Sequence, residues 1–216
     1  MPLIKKLKKL LIITIVNIIF SFNIFAQSFV EGKHYIRLPQ HINNIHKIVE
    51  YFSFFCPHCY TLEKKYHLYE KLNNINNLKK EIKICHVNII NNKIGKILTH
   101  IWCMAQAIHV EKKIIIPIFE LIHQKNSVLN KNNIETIFIQ CTKINKKEYN
   151  LLWNSYTVYN LIIQNQKYID KIYLQYVPTT IINGEYILNN TSLYTTSKTI
   201  FFSQYINIIK YLIHKK

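Results

Sequence analysis

The sequence predicts an α/β fold in which one sheet is assembled from two separated parts of the chain, with a block of helices between them. Three observations carry this. A β-rich apolar run, HKIVEYFSFF (46–55), leads into Cys56-Pro57-His58-Cys59 and a helical pattern, and a second strand-like run, EIKICHVNII (81–90), comes after it. Residues 91 to 170 carry successive helix-like stretches broken by polar, Asn-rich turns. Strand character then returns at YVPTTIINGEYILNN (176–190), ahead of an amphipathic terminal helix, SKTIFFSQYINIIKYLIHKK.

The chain opens with MPLIKKLKKL, which holds Lys5, Lys6, Lys8 and Lys9 and no acid. The apolar run LLIITIVNIIFSFNIF ends at Ala26, before Gln27. A charged start, an apolar centre and a small residue at the cut site make residues 1–26 a secretory signal, with cleavage expected after Ala26. The run is shorter than the roughly 18 to 20 residues a spanning helix needs, and Asn17, Ser21 and Asn23 interrupt it, although uncleaved anchoring stays open. Export places the five cysteines where disulfides persist. The formal charge of +17 comes from Lys, Asn and Ile used heavily throughout rather than from one polybasic block. Together with export, that argues against a nucleic-acid partner. The chain beyond Ala26 is long enough for one domain carrying an inserted second one.

From residue 46 each element has a reason. The first run holds a single acid, Glu50, and Cys56-Pro57 ends it. Apolar residues at Tyr60, Leu62, Tyr66, Leu68, Tyr69 and Leu72 recur with helical spacing, which predicts a helix from Pro57 to about Asn73. Pro57 then takes its favoured first helical position and Cys56 is the N-cap. Strand, helix and second strand form a βαβ unit, the setting in which Cys-x-x-Cys reads as thioredoxin-like. Thr179 to Ile182 are β-formers, and Asn183-Gly184 is a strong hairpin signal. The resulting architecture is an α/β thioredoxin fold interrupted by an inserted helical domain. Its parts are 27–88 and 166–216, with the helical domain over 89–165.

Five segments, EGKHYIRL (31–38), EYFSFFCPHCYTLE (50–63), HVNI (86–89), EYNLLWNS (148–155) and YVPTTIINGEYILN (176–189), together resemble the DsbA family of thiol–disulfide oxidoreductases. The likeness covers nearly all of the chain past Ala26. It implies a protein that donates the Cys56–Cys59 disulfide to newly exported proteins in the periplasm. It also implies that no cofactor beyond that disulfide and no metal is needed, that the chain acts as a monomer, and that a DsbB-type membrane quinone reductase reoxidises it. A thioredoxin-like reductase or isomerase of the cell envelope is the alternative, and Pro57-His58 argues against it. A binding module without thiol chemistry stays open to a thiol titration.

The resemblance assigns roles by position. Cys56 attacks and Cys59, one turn on, resolves, with Pro57 and His58 the family's dipeptide between them. The bond before Pro178 is expected to be cis, with the Val177 backbone pairing with extended substrate. Glu50 lies beneath the site and moves the proton of the buried cysteine, but the basic partner it has in the family falls on Ile84 here. Lys83 is adjacent, yet consecutive strand residues face opposite sides. Glu63 either modulates the Cys56 thiolate or is a solvated helix acid.

Elementary chemistry supports this placement. A thiol at a helix N-terminus meets unpaired N–H groups and the positive end of the dipole, which favours the thiolate. Favouring the reduced form makes the disulfide a stronger oxidant. A structural Cys56–Cys59 disulfide would close too short a loop to restrict the unfolded chain much. Zinc would need two more ligands, for which His58, His86, His100 and the remaining cysteines are the candidates. Cys85, Cys103 and Cys141 sit in apolar contexts and read as buried thiols, with a Cys103–Cys141 disulfide as the alternative. Phe52, Phe54, Phe55 and Tyr60 divide between core and substrate groove.

Overall fold

The computed structural model describes residues 29–74, 81–124, 128–172, 174–193 and 197–215. The expected signal and its cut site lie outside them. Five strands form one mixed sheet: β1 (Tyr35–Arg37), β2 (Ile48–Phe52), β3 (Ile82–His86), β4 (Thr179–Ile182) and β5 (Tyr186–Leu188), in the order β1-β5-β4-β2-β3. All five residues of β2 are buried, as befits a central strand with both faces covered. It runs parallel to β3 and antiparallel to β4, so that Glu50 faces Ile84 on one side and Thr180 on the other.

Between β2 and β3 lie α1 (Pro57–Tyr66) and α2 (Leu68–Asn73). The sequence predicts one continuous helix here, but the chain breaks at His67, which is left-handed at φ 53°. Glu63 explains how the break is held. The His67 N–H donates to the Glu63 carbonyl, and the Tyr69 N–H in the first turn of α2 donates to the Glu63 carboxylate at 2.9 Å. His67 makes no side-chain cap of its own, so an acid from the preceding helix caps α2.

Among the described residues, five helices stand between β3 and β4: α3 (Lys93–Ala107), α4 (Glu111–His123), α5 (Lys131–Thr142), α6 (Lys146–Trp153) and α7 (Tyr156–Asp170). Asparagine starts three of them. Asn92, Asn130 and Asn145 accept from Gly95, Asn133 and Glu148 N–H groups, and Glu148 completes a capping box. The same Asn-rich stretches that read as breaks are therefore the start signals. Trp102, Phe119 and Phe138 are buried between these helices, and their cluster continues into Phe52, Phe54, Cys56 and Cys59. Edge-to-face contacts of Phe52 with Trp102 at 4.9 Å and of Phe54 with Phe119 at 5.0 Å join the two bodies, at roughly 0.5–1.5 kcal/mol per aromatic pair beyond burial. The edge strand β3 is also fastened: Trp102 Nε1 and Gln106 Nε2 both donate to the Ile84 carbonyl, at 3.1 and 3.0 Å.

The turn joining β4 to β5 has Asn183 and Gly184 both at positive φ, 54° and 65°, as a primed hairpin turn requires. Gly184 is needed a second time, because a Cβ there would stand 2.2 Å from the Ile42 carbonyl oxygen. The last helix, α8 (Lys198–His214), packs Phe201, Tyr205, Ile208, Ile209 and Leu212 onto the sheet face that carries Ile48 and Glu50.

Candidate active site

Cys56 sits at the N-cap of α1 with extended backbone, φ −87° and ψ 116°, and Pro57 follows in the first turn. Its Sγ accepts the Cys59 N–H at 3.3 Å, and its own S–H donates to the Val177 carbonyl at 3.3 Å. The Val177–Pro178 peptide bond is cis, and the loop before β4 sits directly against the thiol at the start of α1. Residues 121 positions apart are thereby brought into contact.

Both thiols are reduced and buried, at 5 % and 4 % exposure. The sequence expects Cys56 to be the more exposed; what separates the two is electrostatics. A hydrogen bond from the Cys59 thiol lowers the Cys56 pKa most, and the N–H groups of Cys59 and His58 add to it. Burial opposes them, the charge of exposed His58 contributes least, and the outcome is about 6. Cys59 is pushed far upward, first by burial and then by the neighbouring thiolate it must serve as donor. Cys56 is thus predominantly thiolate at neutral pH while Cys59 keeps its proton. Ionising Cys56 also turns the Val177 carbonyl from an acceptor of its proton into a facing dipole of the same sign, which leaves that carbonyl ready for another donor.

Beneath Cys59 lies a cavity of about 30 Å³, enough for a water centre, lined by Glu50, Cys59, Glu63, Ile84 and Pro178 among others. Glu50 is 3 % exposed, and burial raises its pKa to about 8 despite hydrogen bonds from Thr180 and Tyr205 that favour the charged form. Thr180 donates to Oε2 by a short bond, and Tyr205 OH reaches the same oxygen at 3.3 Å. Among the described residues nothing takes the place of the family's basic partner: Ile84 is the residue in register, and the charge of Lys83 acts on Cys85 and Cys103 instead. Glu63 is 6 % exposed, so it is no solvated acid; burial raises its pKa to about 7 against the Tyr69 N–H bond.

Several contacts around the site have no signal in local sequence. Thr180 and Tyr205 are such residues, since each reads as an ordinary core position of a strand or helix. His123 of α4 is another, its Nε2 lying 2.8 Å from the Phe54 carbonyl and its ring stacked on Tyr60 at 5.0 Å. Because a carbonyl only accepts, Nε2 carries the proton and donates. Phe52 and Phe54 belong wholly to the core, whereas Phe55 and Tyr60 are half-buried.

The other thiols are free. Cys103 and Cys141 do not pair; Cys103 accepts from the Asn165 amide at 3.2 Å, and the carbonyl of that amide accepts from Cys85 at 3.7 Å. Asn165 is fully buried and satisfies two thiols with one side chain.

Comparison with known proteins bears on this geometry. Residues 47–201 match the family model described as a DSBA-like thioredoxin domain. A thiol:disulfide interchange protein DsbA from Buchnera aphidicola subsp. Schizaphis graminum is 42 % identical over 210 residues, covering 97 % of this chain and all of the relative. The protein of the same name from Escherichia coli K12 is 32 % identical over 206 residues, covering 94 % and 98 %. Among solved structures, the disulfide oxidoreductase DsbA of Proteus mirabilis superposes with a TM-score of 0.79 at 26 % identity, over 87 % of this chain and 98 % of that one. A second structure of the Proteus protein, bound non-covalently to the peptide PWATCDS, gives a TM-score of 0.77 over 87 % of this chain and all of that one.

Proposed function

The chain belongs to the DsbA-like thioredoxin family and is a thiol–disulfide oxidoreductase, and from that premise we propose how its own residues divide the work. A substrate thiolate attacks Sγ of Cys56 in the Cys56–Cys59 disulfide. The S–S bond breaks, Cys59 leaves as thiolate and takes up a proton, and substrate and Cys56 are joined. A second substrate thiolate then attacks the substrate sulfur of that bond, and Cys56 departs as thiolate. The substrate has lost two electrons and gained a disulfide; the protein holds the dithiol.

The observation that carries this reading is the opposite perturbation of the two sulfurs. A low-pKa Cys56 is the better final leaving group, so the sequence of steps runs toward oxidised substrate. Pro57 fixes the start of α1 and so aims the Cys59 and His58 N–H groups at Cys56 Sγ. The Val177 carbonyl accepts from a backbone N–H of an extended substrate segment, with Pro178 holding that carbonyl at the sulfur. Glu50 exchanges the Cys59 proton through the cavity.

We propose the setting on the same reading, with the signal-like start of the chain as support for export. The protein is cleaved after Ala26, works in the periplasm as a monomer on exported proteins with reduced cysteines, and is reoxidised by a DsbB-type membrane quinone reductase. The Proteus relative in complex with the non-covalently bound peptide PWATCDS supports peptide-like substrates. The test is covalent trapping. Cys59→Ala is expected to hold a Cys-containing peptide as a mixed disulfide stable on non-reducing electrophoresis, and Cys56→Ala to hold none, with Cys85, Cys103 and Cys141 replaced in both. Equal trapping by the two variants would reverse the assignment.

A further inference from the structure

Glu50 presents a problem that the family pattern does not solve for this chain. The strand partner that would carry a positive charge is Ile84, and among the described residues no ion pair reaches the carboxylate. Its two hydrogen bonds instead come from β4 and α8, and both fall on Oε2. Thr180 Oγ1 and Tyr205 OH are also 2.7 Å from each other. Two hydroxyls have two protons to share among three contacts. With the carboxyl ionised, Thr180 donates to Oε2 and Tyr205 shares its one proton between that oxygen at 3.3 Å and Thr180 Oγ1 at 2.7 Å, a chain polarised toward the carboxylate.

That chain goes nowhere else. Tyr205 and Thr180 are fully buried, and burial with the nearby carboxylate raises the phenol well above its ordinary range, so Tyr205 keeps its proton. It therefore supplies no route to solvent. With Oε2 committed to the hydroxyls, the exchangeable proton of the carboxyl is placed on Oε1, and the cavity shared with Cys59 is the side from which it can be traded. Among the described residues, the titratable groups around Glu50 and its cavity are Cys59 and Glu63 from α1, Tyr69 from α2 and Tyr205 from α8. β3 presents Ile84 and β4 presents Thr180, neither of which titrates.

We propose that Thr180 and Tyr205 are positioning residues that replace a cation: they orient Glu50 toward Cys59 and stabilise its carboxylate after it has given its proton to the departing Cys59 sulfur. The step balances as Cys59 thiolate plus Glu50 carboxylic acid giving Cys59 thiol plus Glu50 carboxylate. Run backward, the carboxylate takes the proton and Cys59 attacks the mixed disulfide. This rests on the assignment of Cys56 and Cys59 above and adds to it a hydroxyl pair that holds the buried acid from behind.

The experiment isolates the resolving step. The reduced protein is mixed with oxidised glutathione, and the rate at which the Cys56–glutathione mixed disulfide is resolved by Cys59 is measured from pH 5 to 9. Tyr205→Phe and Thr180→Val each remove a hydroxyl with little change of shape. Each is expected to move the midpoint of that profile upward by about one pH unit, which is roughly a tenfold slower step below the midpoint. Thr180→Ser, which keeps the hydroxyl, is expected to restore the original midpoint. The thiolate absorbance titration of Cys56 should stay in place in all three, which a general loosening of the fold would not allow. A resolving profile unmoved in both Tyr205→Phe and Thr180→Val, or one that moves together with the Cys56 titration, would overturn the proposal. Failure to form any mixed disulfide at Cys56 would instead strike at the parent assignment, and so is told apart.

Discussion

The mouth and the floor of this site hold one sulfur each, three residues apart on the same helix and buried to nearly the same degree. At the mouth, Cys56 meets N–H groups and a donating thiol, and its pKa falls to about 6. On the floor, Cys59 meets a thiolate, an apolar cavity wall and two buried acids, and its pKa rises. Burial raises both and is the largest cause at Cys59, whereas at Cys56 the donated Cys59 S–H, joined by the N–H groups of the helix start, outweighs it.

Removing either sulfur breaks the comparison outright. Cys56→Ala should abolish disulfide exchange with peptide thiols, and Cys59→Ala should stop it at the mixed disulfide, as read by electrophoresis and by loss of multiple turnover. Next in size is the floor acid. Glu50→Gln should slow Cys59-dependent resolution by about a hundredfold, at the low end of general acid–base contributions, while leaving the Cys56 titration nearly fixed. Equal loss of attack and resolution would make Glu50 a structural residue instead.

The two regions should also leave opposite marks on stability. Glu50, raised from 4.5 to about 8, contributes stability that is present below pH 4.5 and lost as pH rises through 8. Cys56, lowered from 9.0 to about 6, contributes stability that is present above pH 9 and lost as pH falls through 6. The disulfide form lacks the Cys56 contribution but keeps that of Glu50. The melting temperature of the reduced form minus that of the oxidised form should therefore widen from pH 6 toward 9, and a flat difference would show Cys56 to be unperturbed. The smallest expected effect is His58→Ser. The His58 charge is the weakest of the influences on Cys56, so its pKa should rise by less than about one unit. A rise of about two units or more would move the main cause from the Cys59 thiol and the helix start to the imidazole.

The same residues mark what local sequence can and cannot carry. Pro57 after Cys56, Asn183-Gly184 and the apolar run through β2 are readable because each states a backbone requirement within a few residues. The helical block is readable from its own helix-like stretches and Asn-rich breaks, whereas the meeting of Val177-Pro178 with Cys56 is readable by family resemblance alone. The break at His67 is not, because apolar spacing continues across it from Tyr66 to Leu72, and the residue that caps the new helix, Glu63, lies in the previous one. Thr180 and Tyr205 escape for a different reason. Tyr205 lies 155 positions from Glu50 and looks like any aromatic on the buried face of a terminal helix. The one available signal is indirect: an acid in a buried strand whose paired neighbour is Ile84 has to find its hydrogen bonds on the other side.

If the helix start and its neighbours favour the Cys56 thiolate, the site as a whole favours its reduced form, and the reduction potential of the Cys56–Cys59 pair reads that preference. Equilibration with a glutathione buffer should give an oxidising value, near the roughly −120 mV of the family and far above the roughly −270 mV of thioredoxin. A value below about −220 mV would mean that the reduced form is not favoured and would make the protein a reductase.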